Sequence, residues 1–305
     1  MKGPVEWGRF GWHGVAFDMP EDWCPGRLEG DFANGYVRIE DETEVRAELR
    51  WETARRRVAP ASKFVDSYIR QVRKKTRRQD PDPQIERDRC VKQLGDVDHE
   101  VFTWRGVFSA HSLLAVCPTT RRVVHLRVFF EEGREHRKLA RRMFASLTTG
   151  PRDGKMEWSA FGFRFLVGDD WRLDTSGLRT GCLQFLFANG DDELEVTRFS
   201  LAEMVLRDTT LDTWFRRTYR KAVRKFRIET QESDYQGCPA VRCEGVMKLT
   251  ARPFGLFRRK RRLRALAWHD VEADKILAVR LSTRTVEDPQ LEEIAATVVD
   301  TVGSH

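Results

Sequence analysis

Phe32-Ala33-Asn34-Gly35 recurs as Phe187-Ala188-Asn189-Gly190, and the chain around the two tetrapeptides repeats as well. Upstream of each lies an aromatic block: Trp7, Phe10, Gly11, Trp12 and Trp23 in the first half, and Trp158, Phe161, Gly162, Phe163 and Trp171 in the second. An acidic pair precedes the last tryptophan of each block, Glu21-Asp22 and Asp169-Asp170. Downstream, the alternating stretches Tyr36 to Trp51 and Leu194 to Phe199 read as strand. The Asn-Gly of each tetrapeptide suits a turn that needs positive φ.

The repeat continues in order through the rest of the chain. Phe64, Tyr68 and Val72 share one face of a helix, and Phe215, Tyr219 and Val223 reproduce the spacing. Asp66 and Asp212 fall near the expected helix starts, where the dipole favours acid, and basic residues crowd the far ends. Gly106-Val107 answers Gly245-Val246 on the strands that follow. A hairpin comes next, Leu113 to Val116 and Val123 to Phe130 in one half, Leu266 to Trp268 and Ile276 to Leu281 in the other. On its returning strand Arg127 matches Arg280. Each half closes on an amphipathic helix, with apolar faces Leu139, Met143, Phe144, Leu147 and Leu291, Ile294, Val298, Val302. Self-similarity of this extent fixes the architecture before any single motif is weighed.

The expected fold class is therefore α+β: two tandem domains, 1–149 and 155–305, each an antiparallel β-sheet flanked by α-helices. The linker Thr148 to Gly154 is short and rich in turn formers. It should keep the domains close, as a homodimer written in one chain would be.

An opening of the form F-x-x-P-x-x-W, here Phe17, Pro20 and Trp23, combined with this element order resembles the PsbP-like superfamily. That superfamily includes an extrinsic subunit of photosystem II, a Ran-binding nuclear import factor and small chaperones that load type VI secretion effectors. The second half departs from the motif, with Gly168 and Asp169 before Trp171 where a proline is expected. The resemblance implies a binding or assembly module and not an enzyme; shared fold does not itself transfer function.

Composition agrees with a folded, globular chain. Of 305 residues 40% are hydrophobic and 33% charged, with both signs mixed, which excludes a disordered chain. No apolar run approaches the roughly 18–20 residues that cross a bilayer. The opening MKGPVEWGRF has no apolar core, so the expected location is the cytoplasm. Six scattered cysteines, Cys24, Cys90, Cys117, Cys182, Cys238 and Cys243, form no CxxC pair and read as reduced structural thiols. Cys238 and Cys243 should face opposite sides of one strand.

The net charge is +7, and its local clustering supplies the candidate sites. Arg252, Arg258, Arg259, Lys260, Arg261, Arg262 and Arg264 crowd an insertion at about 250–264 that the first half lacks, with Phe254 and Phe257 just before the densest part. Guanidinium forks suit phosphates and aromatics suit exposed bases or a lipid surface. A solvated hairpin extension without a partner reads equally from the same residues. A secondary basic surface is expected on the matched helices, from Arg73, Lys74 and Arg77 and from Arg217, Arg220 and Arg224. Trp23 and Trp171 read as core wedges, while Trp7, Trp12 and Trp51 suit a groove or a face between domains.

No catalytic residue, metal ligand or cofactor is expected. The chain has no P-loop, dinucleotide glycine fingerprint, HExxH or GxSxG. His99, His111 and His125 have no residues around them that complete a triad. The function expected is a non-enzymatic protein-interaction module, such as a chaperone or assembly factor, taking a partner in a groove between two pseudo-symmetric domains. The alternative is a binder of nucleic acid or acidic lipid through residues 252–264, recognisable by steep loss of affinity with salt.

Overall fold

A computed structural model describes residues 5–54, 58–79, 82–88, 91–94, 97–117, 119–131, 133, 136–248, 261–284 and 290–301. The chain divides into two compact units, Met1–Gly162 and Phe163–His305.

The first unit runs β1 (Trp7–Trp12), β2 (Val15–Pro20), β3 (Cys24–Gly30), β4 (Asn34–Glu40), β5 (Val45–Thr53), α1 (Ala61–Thr76), β6 (Gln84–Asp88), β7 (Asp98–Arg105), β8 (Ala110–Val116), β9 (Arg122–Phe129), α2 (Arg137–Ala145) and β10 (Lys155–Ala160). A seven-stranded antiparallel sheet has the order β3-β4-β5-β9-β8-β7-β6. Alternation along β9 sets its two faces. Val124, Leu126 and Val128 are fully buried on one, and Val123 packs on the other with Ala61, Val65, Phe64 and Tyr68 of α1. Ala140, Met143 and Phe144 form the buried side of α2.

The repeat in sequence changes copies at the 148–154 linker, but the compact unit extends through β10. The reason is local. β10 pairs with β1 at Gly11↔Ser159, and Arg9 donates to Glu157 at 3.0 Å and to Asp18 at 3.0 Å. The turn after β1 is also anchored: His13 has φ 50°, and its carbonyl accepts from the fully buried guanidinium of Arg122 at 2.6 Å. Trp12, His13, Trp51 and Trp158 close around this point with ring centroids 5.1–6.0 Å apart. Trp12 and Trp51 are therefore core residues of the first unit, not groove linings. Trp7 is half-buried beneath the Arg142 guanidinium, 3.9 Å from its ring centre.

The second unit runs β11 (Phe163–Gly168), β12 (Arg172–Arg179), β13 (Cys182–Asn189), β14 (Asp192–Ser200), α3 (Ala202–Leu206), α4 (Leu211–Thr218), α5 (Arg220–Val223), β15 (Phe226–Tyr235), β16 (Cys238–Met247), β17 (Arg262–Asp270), β18 (Lys275–Thr283), α6 (Gln290–Ala295) and β19 (Val299–Asp300). Its seven-stranded sheet has the order β12-β13-β14-β18-β17-β16-β15, the first sheet's order element for element. Phe163, Phe165, Phe185 and Phe187 are fully buried together, each worth about 1.5–3 kcal/mol over exposure. Trp23 and Trp171 are buried as expected, and Trp171 Nε1 donates to Gln290 Oε1 at 3.0 Å.

Several local expectations are corrected. The two FANG tetrapeptides are not structural equivalents: the first leads into β4, and the second ends β13. Gly190 adopts positive φ, 58°, as an Asn-Gly turn requires. Gly35 instead lies within β4, where the Trp51 ring passes so close that a Cβ would collide with it. Asp66 lies beyond the first turn of α1 and pairs with Arg87. The acid at that helix start is Asp98 of β7, whose carboxylate accepts from Ala61 N at 2.9 Å. In the second unit the helical stretch breaks at Tyr219 (φ −94°, ψ 14°), yet Phe215, Tyr219 and Val223 still share one buried cluster. The closing helix α6 ends at Ala295, so Val298 lies beyond it and Val302 lies outside the described residues.

Candidate functional site

The matched arginines of the returning strands define the interior of both sheets. In β5 and β9, Glu48 lies directly opposite Arg127, and their side chains form an ion pair. Tyr36 Oη donates to Glu48 Oε1 at 2.6 Å, and Arg127 Nη1 donates to Tyr68 Oη at 3.0 Å. Burial, then the bond to Glu48, raises the Tyr36 phenol above its ordinary range. In β14 and β18, Glu195 lies opposite Arg280 and accepts from its Nε and Nη2 at 2.7 and 2.5 Å. Gln184 Nε2 takes the place of Tyr36, donating to Glu195 Oε1 at 2.5 Å. Tyr219 comes down from the helical side, as Tyr68 does, and burial followed by the nearby Glu195 pushes its phenol far up. These charges neutralise each other inside the sheet, as groups taken out of water must.

Glu48 and Glu195 were not singled out from sequence, although a signal existed. Two arginines at equivalent places on apolar strands demand carboxylate partners on the neighbouring strands.

The histidines are spent on structure. His99 accepts from Val91 N at 2.9 Å through Nε2, and its Nδ1 lies 2.6 Å from the Val97 carbonyl. His111 Nδ1 lies 2.9 Å from Thr103 Oγ1, which donates to Asp88 at 3.0 Å, and Arg137 at the head of α2 donates to the same carboxylate at 3.1 Å. The chain of contacts ties β8 to α2. His125 packs edge-on against Tyr68, 4.8 Å between centroids. Burial, then the charges of Arg127 and Arg50, drives its imidazole down to about 3, so it is neutral.

Of the expected anion-binding residues, Arg252, Phe254, Phe257, Arg258, Arg259 and Lys260 lie outside the described residues. Arg261 donates to the Ser282 carbonyl at 3.2 Å and to that of Asp191. Arg264 pairs with Glu292 of α6 at 2.7 Å, in the place His111 holds in the first unit. Both arginines are thus engaged internally, while Arg262 is exposed.

The residues of the expected secondary basic surface lie on the outside of the two helical stretches. Arg73, Lys74 and Arg77 are exposed at the end of α1, and Arg217, Arg220 and Arg224 are exposed along α4 and α5. None of the six makes an ion pair among the described residues, whereas Arg216 beside them pairs with Asp212 at 3.0 Å.

No family model and no curated protein matches the sequence. Among solved structures the chain is similar to PsbP of Synechocystis sp. PCC 6803, at 12% identity and a TM-score of 0.35, over 48% of this chain and 94% of that one. It is also similar to the type VI secretion immunity protein TplEi of Pseudomonas aeruginosa, in complex with an "L" peptide, at 9% identity and a TM-score of 0.35, over 98% and 99% of the two chains. The apo form of TplEi matches at 11% identity and a TM-score of 0.34.

Proposed function

We propose that the chain is a tandem pair of PsbP-like domains acting as a non-enzymatic protein-interaction module in the cytoplasm, of the chaperone or assembly-factor kind. The observation that carries the reading is a division of charge. The titratable groups between sheet and helix answer one another, Glu48 with Arg127 and Glu195 with Arg280. Arg73, Lys74, Arg77, Arg217, Arg220 and Arg224, on the outer sides of α1, α4 and α5, have no such answer among the described residues. Buried pairs of this sort fix the fold, while an unanswered, solvent-facing array is chemistry left over for a partner.

The test is lysine-directed cross-linking of the full chain in extract of its source, with the adducts mapped. One protein joined mainly at Lys74, Lys75, Lys221 and Lys225 is expected. Adducts spread evenly onto exposed Lys63, Lys138 and Lys155 would count against the reading, as would a chain that cross-links to nothing.

A further inference from the structure

Laying Phe64, Tyr68 and Val72 on Phe215, Tyr219 and Val223 brings three outward cations into register. Arg70, Arg73 and Lys74 fall on Lys221, Arg224 and Lys225. All six are exposed, and none makes an ion pair among the described residues. Around them the surfaces of the two units have diverged: Asp66 aligns with Arg217, and Lys75 with the buried Phe226. A cation triad kept through that divergence is not explained by the helix dipole alone, because the second triad begins on a four-residue helix. Its members sit at i, i+3 and i+4, close enough to repel one another, which disfavours the array unless something covers it.

We infer that these two triads form one kind of docking surface, repeated once per unit, for a partner segment that presents carboxylates at the same helical spacing. The inference rests on the protein-interaction reading above and names the chemistry of the partner. Side chains three and four apart on a helix lie about 5–6 Å apart, the spacing that Arg70, Arg73 and Lys74 hold on α1, while Lys221, Arg224 and Lys225 keep the same sequence spacing from α5 into the turn after it. The aromatics of these helices point inward, Phe64 and Tyr68 onto the first sheet and Phe215 and Tyr219 onto the second. Among the described residues, no large apolar or aromatic side chain of α1, α4 or α5 is exposed beside the triads to stack on bases or enter a lipid surface, as single-stranded nucleic acid or membrane would use. Carboxylate against guanidinium and ammonium is the pairing that remains.

The test uses the full chain and fluorescence anisotropy with a labelled helical peptide carrying Glu at i, i+3 and i+4, beside a peptide of equal composition with the glutamates out of register. A DNA duplex and phosphatidylserine vesicles serve as competing anions. Binding of the in-register peptide that weakens with salt is expected. The triple change Arg70→Gln, Arg73→Gln, Lys74→Gln, or Lys221→Gln, Arg224→Gln, Lys225→Gln, should lower affinity about tenfold, and the sixfold variant further. Lys63→Gln on α1 should change nothing, and circular dichroism verifies that each variant is folded. Equal binding of the two peptides, tighter binding of duplex or vesicles, or triple variants that bind like the parent would each overturn the inference. If the variants lose the peptide but keep the cross-linked partner found in extract, the acidic-segment inference fails while the interaction reading stands. If no partner cross-links at all, that reading fails too.

Discussion

The first and second units carry the same ion pair at the same place in the same sheet, but in different surroundings. Glu48 and Arg127 keep 15% and 14% of their side chains exposed, whereas Glu195 and Arg280 keep 5% and 6%. Tyr36 supports the first carboxylate and Gln184 the second. The lesson is that the duplicated element is the electrostatic solution at the sheet centre, while the packing around it drifted. That difference can be broken experimentally. Arg280→Ala strands Glu195 in a dry interior and should cost about 3–5 kcal/mol in denaturant unfolding. Arg127→Ala leaves Glu48 some access to water and should cost nearer 1–2 kcal/mol, between the buried and exposed limits. Equal losses would mean that the two surroundings do not differ in the way the burial indicates.

The FANG tetrapeptides sharpen the comparison at the next level. Gly35→Ala drives a methyl into the Trp51 ring and should cost up to about 3 kcal/mol. Gly190→Ala meets open space and suffers only from its positive φ, about 1 kcal/mol. Both are read from thermal or denaturant unfolding, and the order of the two losses is the point at issue.

Those tetrapeptides also mark where sequence stops being legible. The order of strands, the Phe-Tyr-Val face and the paired arginines could all be read, because each depends on local periodicity and recurs. The identical tetrapeptides misled, because four residues serve one strand's beginning and another strand's end equally well. Asp98 capping α1 was out of reach, since the cap comes from a strand that follows the helix. By contrast Thr210, which caps α4 by accepting from Thr213 N at 3.2 Å, is local and could have been read. Trp12 and Trp51 were misplaced because an aromatic side chain suits a core and an interface alike; only the packing of Trp158 of β10 on Trp12 and His13, and of His13 on Trp51, decides. For the candidate surface, the positions of the cations were legible, but their lack of partners was not, since that depends on which carboxylates the fold brings near.

A smaller difference is set by pH. His125 belongs to the first unit alone, and Ala278 stands opposite Thr197 where His125 stands opposite Arg50. Its imidazole is held at about 3, below the unfolded value near 6.5. The unfolded chain therefore binds the extra proton first. The neutral ring is harmless above about pH 6.5, and stability falls progressively as pH drops from there towards 3. His125→Ala should flatten that part of the curve, followed by unfolding at a series of pH values, and an unchanged slope would remove the histidine from the account. Smallest of all, the glutamine triples on α1 and on α5 and the turn after it should shift stability by no more than a few tenths of a kcal/mol, upward where like charges are relieved.

The two units share an interior that folds them and, on this account, a cation array, on α1 in one and on α5 and the turn after it in the other, that recognises a partner. Hydrogen exchange of the full chain with and without the in-register acidic peptide tests it most directly. The account predicts slowed exchange in 61–76 and in 211–224 together, with both sheets unchanged. Protection confined to sheet edges, or protection nowhere, would contradict it.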